Sequence, residues 1–127
     1  MQKLEAKFTA RIEKWFAKTV LTSSPFEIKH TRGKPRFTLS ELKEHQKDWL
    51  LACTSKTGCT YKMPDTGYGF NPFDCFHYKN ADSYVVIVFP NWIVAIEIRV
   101  LLLVKEPSIT EEKALKLAYL KILTSDI

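Results

Sequence analysis

A glutamate and a lysine lie two residues apart in the segment PFEIKHTRGKPR, residues 25–36. In an extended strand alternate side chains point to opposite faces, so Glu27 and Lys29 share one face while Phe26 and Ile28 share the other. The second pair is typical of a core face. An acid and a base on the first face are either half-exposed surface residues or part of an active site.

Three further polar positions interrupt apolar patterns. Glu5 lies one turn before Phe8 on the apolar stripe of a predicted first helix, and Gln46 occupies a position in a second helix where a hydrophobe is expected. Asp74 lies between two phenylalanines in a strand-like segment, where a buried aspartate needs a metal, a lysine or a backbone donor as its partner. Taken singly, Glu5 also fits a frayed helix end and Gln46 a boundary amide, and the Glu27 and Lys29 pair also fits an ordinary surface ion pair.

The elements that must position these residues follow from the periodicity of apolar side chains. Possible capping boxes at Thr38 with Glu41 and at Ser108 with Glu111 mark the starts of two helices. The sequence predicts helices over about 2–19, 39–54 and 109–123, the EIK strand, strands in CTYKM and FDCFHYK, and an apolar hairpin followed by a third apolar segment within 84–104. We therefore expect one α+β domain over residues 1–127, with a central mixed β-sheet flanked by helices.

Charge is unevenly distributed along the chain. The formal net charge is +5, yet residues 1–62 carry 13 Lys/Arg against 6 Asp/Glu, whereas residues 63–127 carry 6 against 8. The basic half contains the EIK strand. This asymmetry indicates either a polyanionic partner, nucleic acid first among the candidates, or a solvated basic surface.

Cysteine and histidine usage gives no sign of a metal or disulfide framework. The three cysteines are an odd number without paired spacing, and the histidines have no ligand at zinc-like spacing. The N-terminus lacks the apolar core of a signal peptide, so we expect reduced thiols in a cytoplasm. Residues 84–104 could span a bilayer in length, but Pro90, Asn91, Glu97 and Arg99 interrupt them, which favours no membrane association.

Taken together, the N-terminal helix with its glutamate, the E-x-K strand, the segment FTLSELKEHQKDWLLA and an aspartate on a strand resemble the PD-(D/E)XK nuclease superfamily. The likeness is greatest to RecU-type and phage-encoded Holliday junction resolvases and covers about residues 4–98. It implies a restriction-endonuclease-like fold and a Mg²⁺-dependent endonuclease, with Mn²⁺ as a possible substitute. It also implies a homodimer that cleaves four-way DNA junctions during recombination in the cytoplasm of a bacterial or phage-infected cell.

The resemblance assigns roles to the candidate residues. Glu27 and Asp74 would bind the metal with the Ile28 carbonyl, and Glu5 would be a carboxylate of a second site or of the outer coordination sphere. Lys29 would orient or activate the attacking water, and Gln46 would hold that water or a phosphate oxygen. The residues expected to contact DNA are His30, Arg32, Lys34, Arg36 and Lys43. Apolar residues of 92–104 and of the last helix are the candidates for a dimer interface.

The order of the motifs departs from the usual pattern of this superfamily. There the aspartate precedes the E-x-K strand, but the preceding segment KTVLTSSP contains no acid. Either the aspartate lies on another strand that reaches the same place, with Asp74 favoured over Asp65, or the chain is not a working nuclease. A nickase or exonuclease of the same fold and a non-catalytic DNA-binding module are the alternative functions.

Overall fold

The computed structural model of the chain describes residues 2–19, 24–62, 75–78 and 80–127, with residues 2–6, 17–19, 59–62 and 75–78 described by their backbone alone. The elements are, in chain order, α1 (Gln2–Thr19), β1 (Phe26–His30), β2 (Arg36–Thr38), α2 (Glu44–Thr54), β3 (Cys59–Lys62), β4 (Cys75–Tyr78), β5 (Tyr84–Val88), β6 (Trp92–Glu97), α3 (Ile98–Leu101), β7 (Ser108–Thr110), α4 (Glu111–Leu117) and β8 (Leu120–Leu123). Short 3₁₀ turns span Leu39–Glu41 and Thr124–Asp126.

The main sheet has four strands in the order β1-β5-β6-β8. Strand β1 is parallel to β5, whereas β5 with β6 and β6 with β8 are antiparallel, so the sheet is mixed and the α+β prediction is confirmed. Strands β2 and β7 form one small antiparallel sheet and β3 and β4 another. Among the described strands, the EIK strand therefore lies at an edge of the main sheet.

Helices cover both faces of this sheet. Ile12 and Phe16 of α1 pack with Val86 on one face, and Leu50 of α2 packs with Val85 on the other. All five side chains of β5 are buried, which explains why its sequence is a continuous apolar run rather than an alternating one. The same two helices flank β1, with α1 over one of its faces and α2 beside the other.

Both predicted capping boxes are wrong, because the helices begin later than expected. Thr38 makes no side-chain cap and precedes the 3₁₀ turn, while α2 begins at Glu44. Ser108 begins a strand, and the Thr110 hydroxyl instead accepts the Lys113 N–H at 3.1 Å to cap α4. Strand β7 forms where the last helix was expected to begin, and it pairs with β2, burying Phe37 and Ile109 in the core on the α2 side.

The last predicted helix, 109–123, divides into α4 and strand β8. Leu120 and Ile122 of β8 are half-buried while Lys121 and Leu123 are exposed, which is the period-two pattern of a strand. Strand β8 pairs with β6 and completes the sheet. Strand β6 is thereby enclosed between two neighbours, and the side chains of residues 93–96, which belong to the predicted dimer segment 92–104, are buried within the chain.

Cys53 differs from the expectation for reduced thiols. It is fully buried at the end of α2 and is disulfide-bonded. The prediction that the cysteines are only small reduced core residues is therefore wrong at this position. No helix among the described residues is long and apolar enough to cross a membrane.

Candidate active site and basic cleft

Strand β1 places Glu27 and Lys29 on the face that looks toward α2. Their register partners on β5 are Val85 and Ile87, both of which belong to the core on the α2 side. Phe26 and Ile28 instead pack with the α1 cluster. Glu27 and Lys29 are each half-buried. The structure thus confirms that the acid and the base share a face and that their neighbours form core.

Gln46 bridges α2 and β1. Its Nε2 donates to Glu27 Oε2 at 3.4 Å, and its Oε1 accepts the backbone N–H of Lys43 at 3.0 Å. Because only the amide oxygen can accept that N–H, the amide nitrogen must face the carboxylate. The N-terminus of α2 therefore orients the Gln46 amide, and the amide in turn holds one oxygen of Glu27.

The Ile28 carbonyl points away from the rest of the sheet. Pro25 O accepts from Tyr84 N at 3.0 Å and Thr31 N donates to Val88 O at 3.1 Å, so the odd-numbered residues of this stretch direct their backbone groups toward β5. In a parallel pair the alternate residues face the other way. The carbonyl of Ile28 is consequently directed toward the side of β1 on which no described strand pairs, next to Glu27 in sequence.

A cleft of about 440 Å³ continues from Lys29. Its lining contains Glu41 and five cations, most of which the sequence predicted to contact DNA, and these cations are Lys29, Arg32, Lys34, Arg36 and Lys43. None of the five forms an ion pair within the part of the chain that the structure describes. The cleft is therefore a concentration of positive charge, and its one described acidic side chain, Glu41, forms no ion pair with these cations.

A tight turn shapes this cleft. Lys34 N donates to Thr31 O at 3.3 Å, and the two central residues have positive φ, 57° at Arg32 and 86° at Gly33. These angles are typical of a type I′ turn, and for an arginine such a backbone conformation is uncommon. The buried Thr31 hydroxyl anchors the turn by donating to Val88 O at 3.0 Å. The turn fixes the direction in which the chain leaves β1 along the cleft.

A second pocket, of about 560 Å³, lies on the other side of Glu27 along β1. Residues 24–27 form one wall, and His45, Gln46 and Trp49 of α2 form the other. His45 and Trp49 are one turn apart and so lie on the same side of the helix. Neither ring was among the residues that the sequence assigned to the site. Their spacing around Gln46 on α2 was the signal that could have identified them.

The remaining candidates divide by position. The His30 Nε2 and the Thr9 hydroxyl of α1 are 3.2 Å apart, and the His30 and Phe8 ring centroids are 6.4 Å apart, so this ring packs against α1, while His30 also contributes to the lining of the cleft. Arg36 donates to the Ser108 hydroxyl at 2.7 Å and is exposed. Glu5 belongs to α1, but its side chain lies outside the described residues, and Asp65 and Asp74 lie outside them altogether.

The donor chemistry fits a hard divalent cation. Glu27 offers a carboxylate held by an amide, and the adjacent Ile28 offers a carbonyl directed to the side of β1 on which no described strand pairs, which are the kinds of oxygen ligand that Mg²⁺ prefers. Among the described residues no group of three His, Cys, Asp or Glu side chains could hold a metal. A complete set would therefore need Asp74 or Glu5, whose side chains lie outside those residues.

Electrostatic perturbation is concentrated on the other face, around Tyr84. Burial, with smaller contributions from Asp82, Tyr119 and Glu97, raises the pKa of Tyr84 to about 12. Arg99 pairs with Glu97 and Asp82 at 2.7 and 2.8 Å, and the hydrogen bond to Glu97 is the main cause that raises the Arg99 pKa. Since Tyr84 is 3% exposed and stacks on Tyr119, this cluster is best explained as structural.

Comparison of the chain with family models, with curated proteins and with solved structures gives no match.

Proposed function

We propose that the chain is a Mg²⁺-dependent DNA endonuclease whose preferred substrate is a four-way junction, cleaved by a homodimer. The observation that supports this most directly is the contact between Glu27 and Gln46 beside Lys29, at the end of a cleft lined by five cations. A carboxylate and an amine on one strand face, next to a concentration of positive charge, suit the hydrolysis of a phosphodiester. The restriction-endonuclease-like fold is part of this proposal.

The proposed roles follow from the chemistry of the side chains. Glu27, the Ile28 carbonyl and Asp74 would hold Mg²⁺, with Glu5 as a further carboxylate. Mg²⁺ supplies a polarised phosphate and a more acidic water when it is bound. Lys29 orients that water and meets the negative charge of the phosphate. Gln46 positions Glu27, because its nitrogen already donates to that carboxylate and its oxygen is held by α2.

The cations of the cleft would hold the DNA backbone. Phosphate contacts from lysine and arginine position a nucleic acid without reading its sequence, which suits an enzyme that selects structure rather than sequence. A junction presents two symmetry-related strands, so two copies related by a twofold axis would place one site on each. The exposed Leu102 and Leu103, which follow α3, and the exposed Tyr119 and Leu123 of the last predicted helix are the described parts of the earlier interface prediction that remain available for that contact.

The experiment compares a four-way junction with a linear duplex of the same sequence, with and without Mg²⁺. We expect cleavage of the junction only with Mg²⁺, and a loss of about 100-fold or more in Glu27→Gln, Lys29→Ala and Asp74→Asn, with binding retained. The exposed Glu13 of α1 supplies the matched control, since Glu13→Gln removes a carboxylate outside the site and should cleave normally.

Each alternative has its own outcome in this assay. Preferential cleavage of the duplex, or shortening from its ends, would indicate a nickase or an exonuclease. Salt-dependent binding without any cleavage, in the wild-type protein with Mg²⁺, would indicate a non-catalytic DNA-binding module. Full activity of Asp74→Asn would transfer the aspartate role to Asp65 or end the nuclease proposal.

A further inference from the structure

The two pockets beside β1 differ in what lines them. The cleft that begins at Lys29 is lined by five lysines and arginines, whereas the lining of the pocket beside Glu27 contains none among the described residues. That pocket instead has a histidine ring, an indole ring and a side-chain amide. The cationic lining of the cleft attracts phosphates, while the rings of the pocket beside Glu27 suit stacking with the flat face of a nucleobase.

The two pockets are also adjacent. Glu27 lines one and Lys29 lines the other, and two residues on one face of a strand are about 6.6 Å apart. A nucleotide whose phosphate lies at Lys29 could therefore place its base in the pocket of His45 and Trp49. The pocket volume, about 560 Å³, is within the range of pockets that hold small ligands.

We propose that this pocket binds the base of an unpaired nucleotide next to the scissile phosphate, so that the substrate, including a four-way junction at its crossover, must be unpaired where it is cut. The inference rests on the proposed nuclease function and adds to it a class of substrate. His45 is exposed on the first turn of α2 and would be one stacking surface, and the half-buried Trp49 would be the floor. A base inside a duplex cannot reach this pocket without leaving its stack.

The test measures binding with EDTA present, so that no strand is cut. The probe is a duplex with a three-nucleotide single-stranded gap that carries 2-aminopurine opposite the gap, and the reference is the same sequence fully paired. We expect the protein to change the 2-aminopurine emission of the gapped probe and to bind it more tightly. His45→Ala should weaken binding of the gapped probe by about 5- to 50-fold, within the range that loss of one base-stacking ring produces, and leave the paired duplex unchanged.

Two variants control for other effects of the substitution. His45→Phe keeps a ring but loses the imidazole nitrogens, and it should retain most of the preference for the gapped probe. Asp48→Ala changes another exposed residue of α2 that lines neither pocket, and it should have no effect.

The result can separate this proposal from the nuclease proposal. Equal binding of both probes, unchanged emission, or an unaltered His45→Ala variant would overturn the base pocket, even if Mg²⁺-dependent cleavage is observed. A preference for the gapped probe that His45→Ala abolishes would support the base pocket, and failure of the same protein to cut any DNA would then refute only the nuclease function.

Discussion

Substitution of Gln46 distinguishes its contribution to the helix from its contribution to the site. Gln46→Leu removes the acceptor of the Lys43 N–H, and loss of such a cap costs about 1 kcal/mol. The leucine side chain at this half-buried position buries additional apolar surface, which offsets part of the lost free energy of unfolding. Tm should therefore fall by at most about 4 °C. The substitution also removes the donor to Glu27, and turnover should fall by about 10- to 1000-fold.

Gln46→Glu separates the two contacts more sharply. The new carboxylate can still accept the Lys43 N–H and lies in the first turn of α2, where negative charge is favourable, so the contact with the helix is kept. At 3.4 Å from Glu27, two carboxylates repel by about 1 kcal/mol in water and about 5 kcal/mol at an effective dielectric constant of 20. Cleavage should therefore fall as far as in Gln46→Leu, and because the same repulsion acts only in the folded protein, Tm should also fall, by about 4 °C for each kcal/mol of it.

The assay is a single-turnover cleavage rate, measured with a melting curve and a binding curve on each variant. Asp48→Ala, an exposed substitution on the same helix, is the control and should leave all three unchanged. A stable Gln46→Leu protein that binds DNA and cleaves at the wild-type rate would refute the positioning role. It would also weaken the resemblance to resolvases at its most specific segment.

Three further predictions test the cleft, the Tyr84 cluster and the core. Replacement of the three cations in 32–36 by alanine should reduce the slope of log affinity against log salt by about 0.9 for each phosphate that is no longer neutralised, and an unchanged slope would place DNA elsewhere. Burial raises the pKa of Tyr84 to about 12, so the contribution of the neutral phenol to the free energy of unfolding is complete below pH 10 and decreases by up to about 2 kcal/mol as pH rises toward 12. Urea unfolding at pH 9 and 11.5 should show this loss in the wild type and a smaller one in Tyr84→Phe. Leu50→Ala, at a fully buried position, should cost about 2–5 kcal/mol in the same unfolding assay, whereas Leu103→Ala, where the side chain is 77% exposed, should cost less than about 0.5 kcal/mol.

Elements whose periodicity was long or strongly apolar could be predicted from the sequence. The helix over 2–19, the EIK strand and the hairpin of β5 and β6 all form where expected. The region after residue 108 could not, because SITEEKALKL fits a capped helix equally well whether or not its first residues pair with β2. The pairing of β2 with β7 brings Arg36 to Ser108, 72 residues further along the chain, and such a pairing is decided by tertiary contacts that no local pattern contains.

The candidate site was partly predictable for the same reason. Alternation along β1 was enough to place Glu27 and Lys29 on one face, and the interrupted apolar stripe of α2 identified Gln46. The partner of the Gln46 oxygen was not foreseen, because the expected helix began five residues too early and Lys43 was not its boundary. The disulfide at Cys53 was missed because the spacing of the cysteines along the chain does not show which of them meet in space.

The parallel pairing of β1 with β5 has a consequence for the order in which the molecule assembles. Phe26 pairs with Tyr84, 58 residues further along the chain, whereas β5 and β6 are joined by Phe89–Asn91 alone. Closing the longer loop costs more entropy, so we expect the hairpin to form early and β1 to dock late. During synthesis β1 emerges well before its partner strand exists, as an edge that other chains could pair with. Glu27 and Lys29 place charges along that strand, and charged side chains disfavour pairing with the strands of other chains. We therefore expect the two side chains proposed to act on a phosphate also to reduce wrong pairing of β1 before β5 is synthesised.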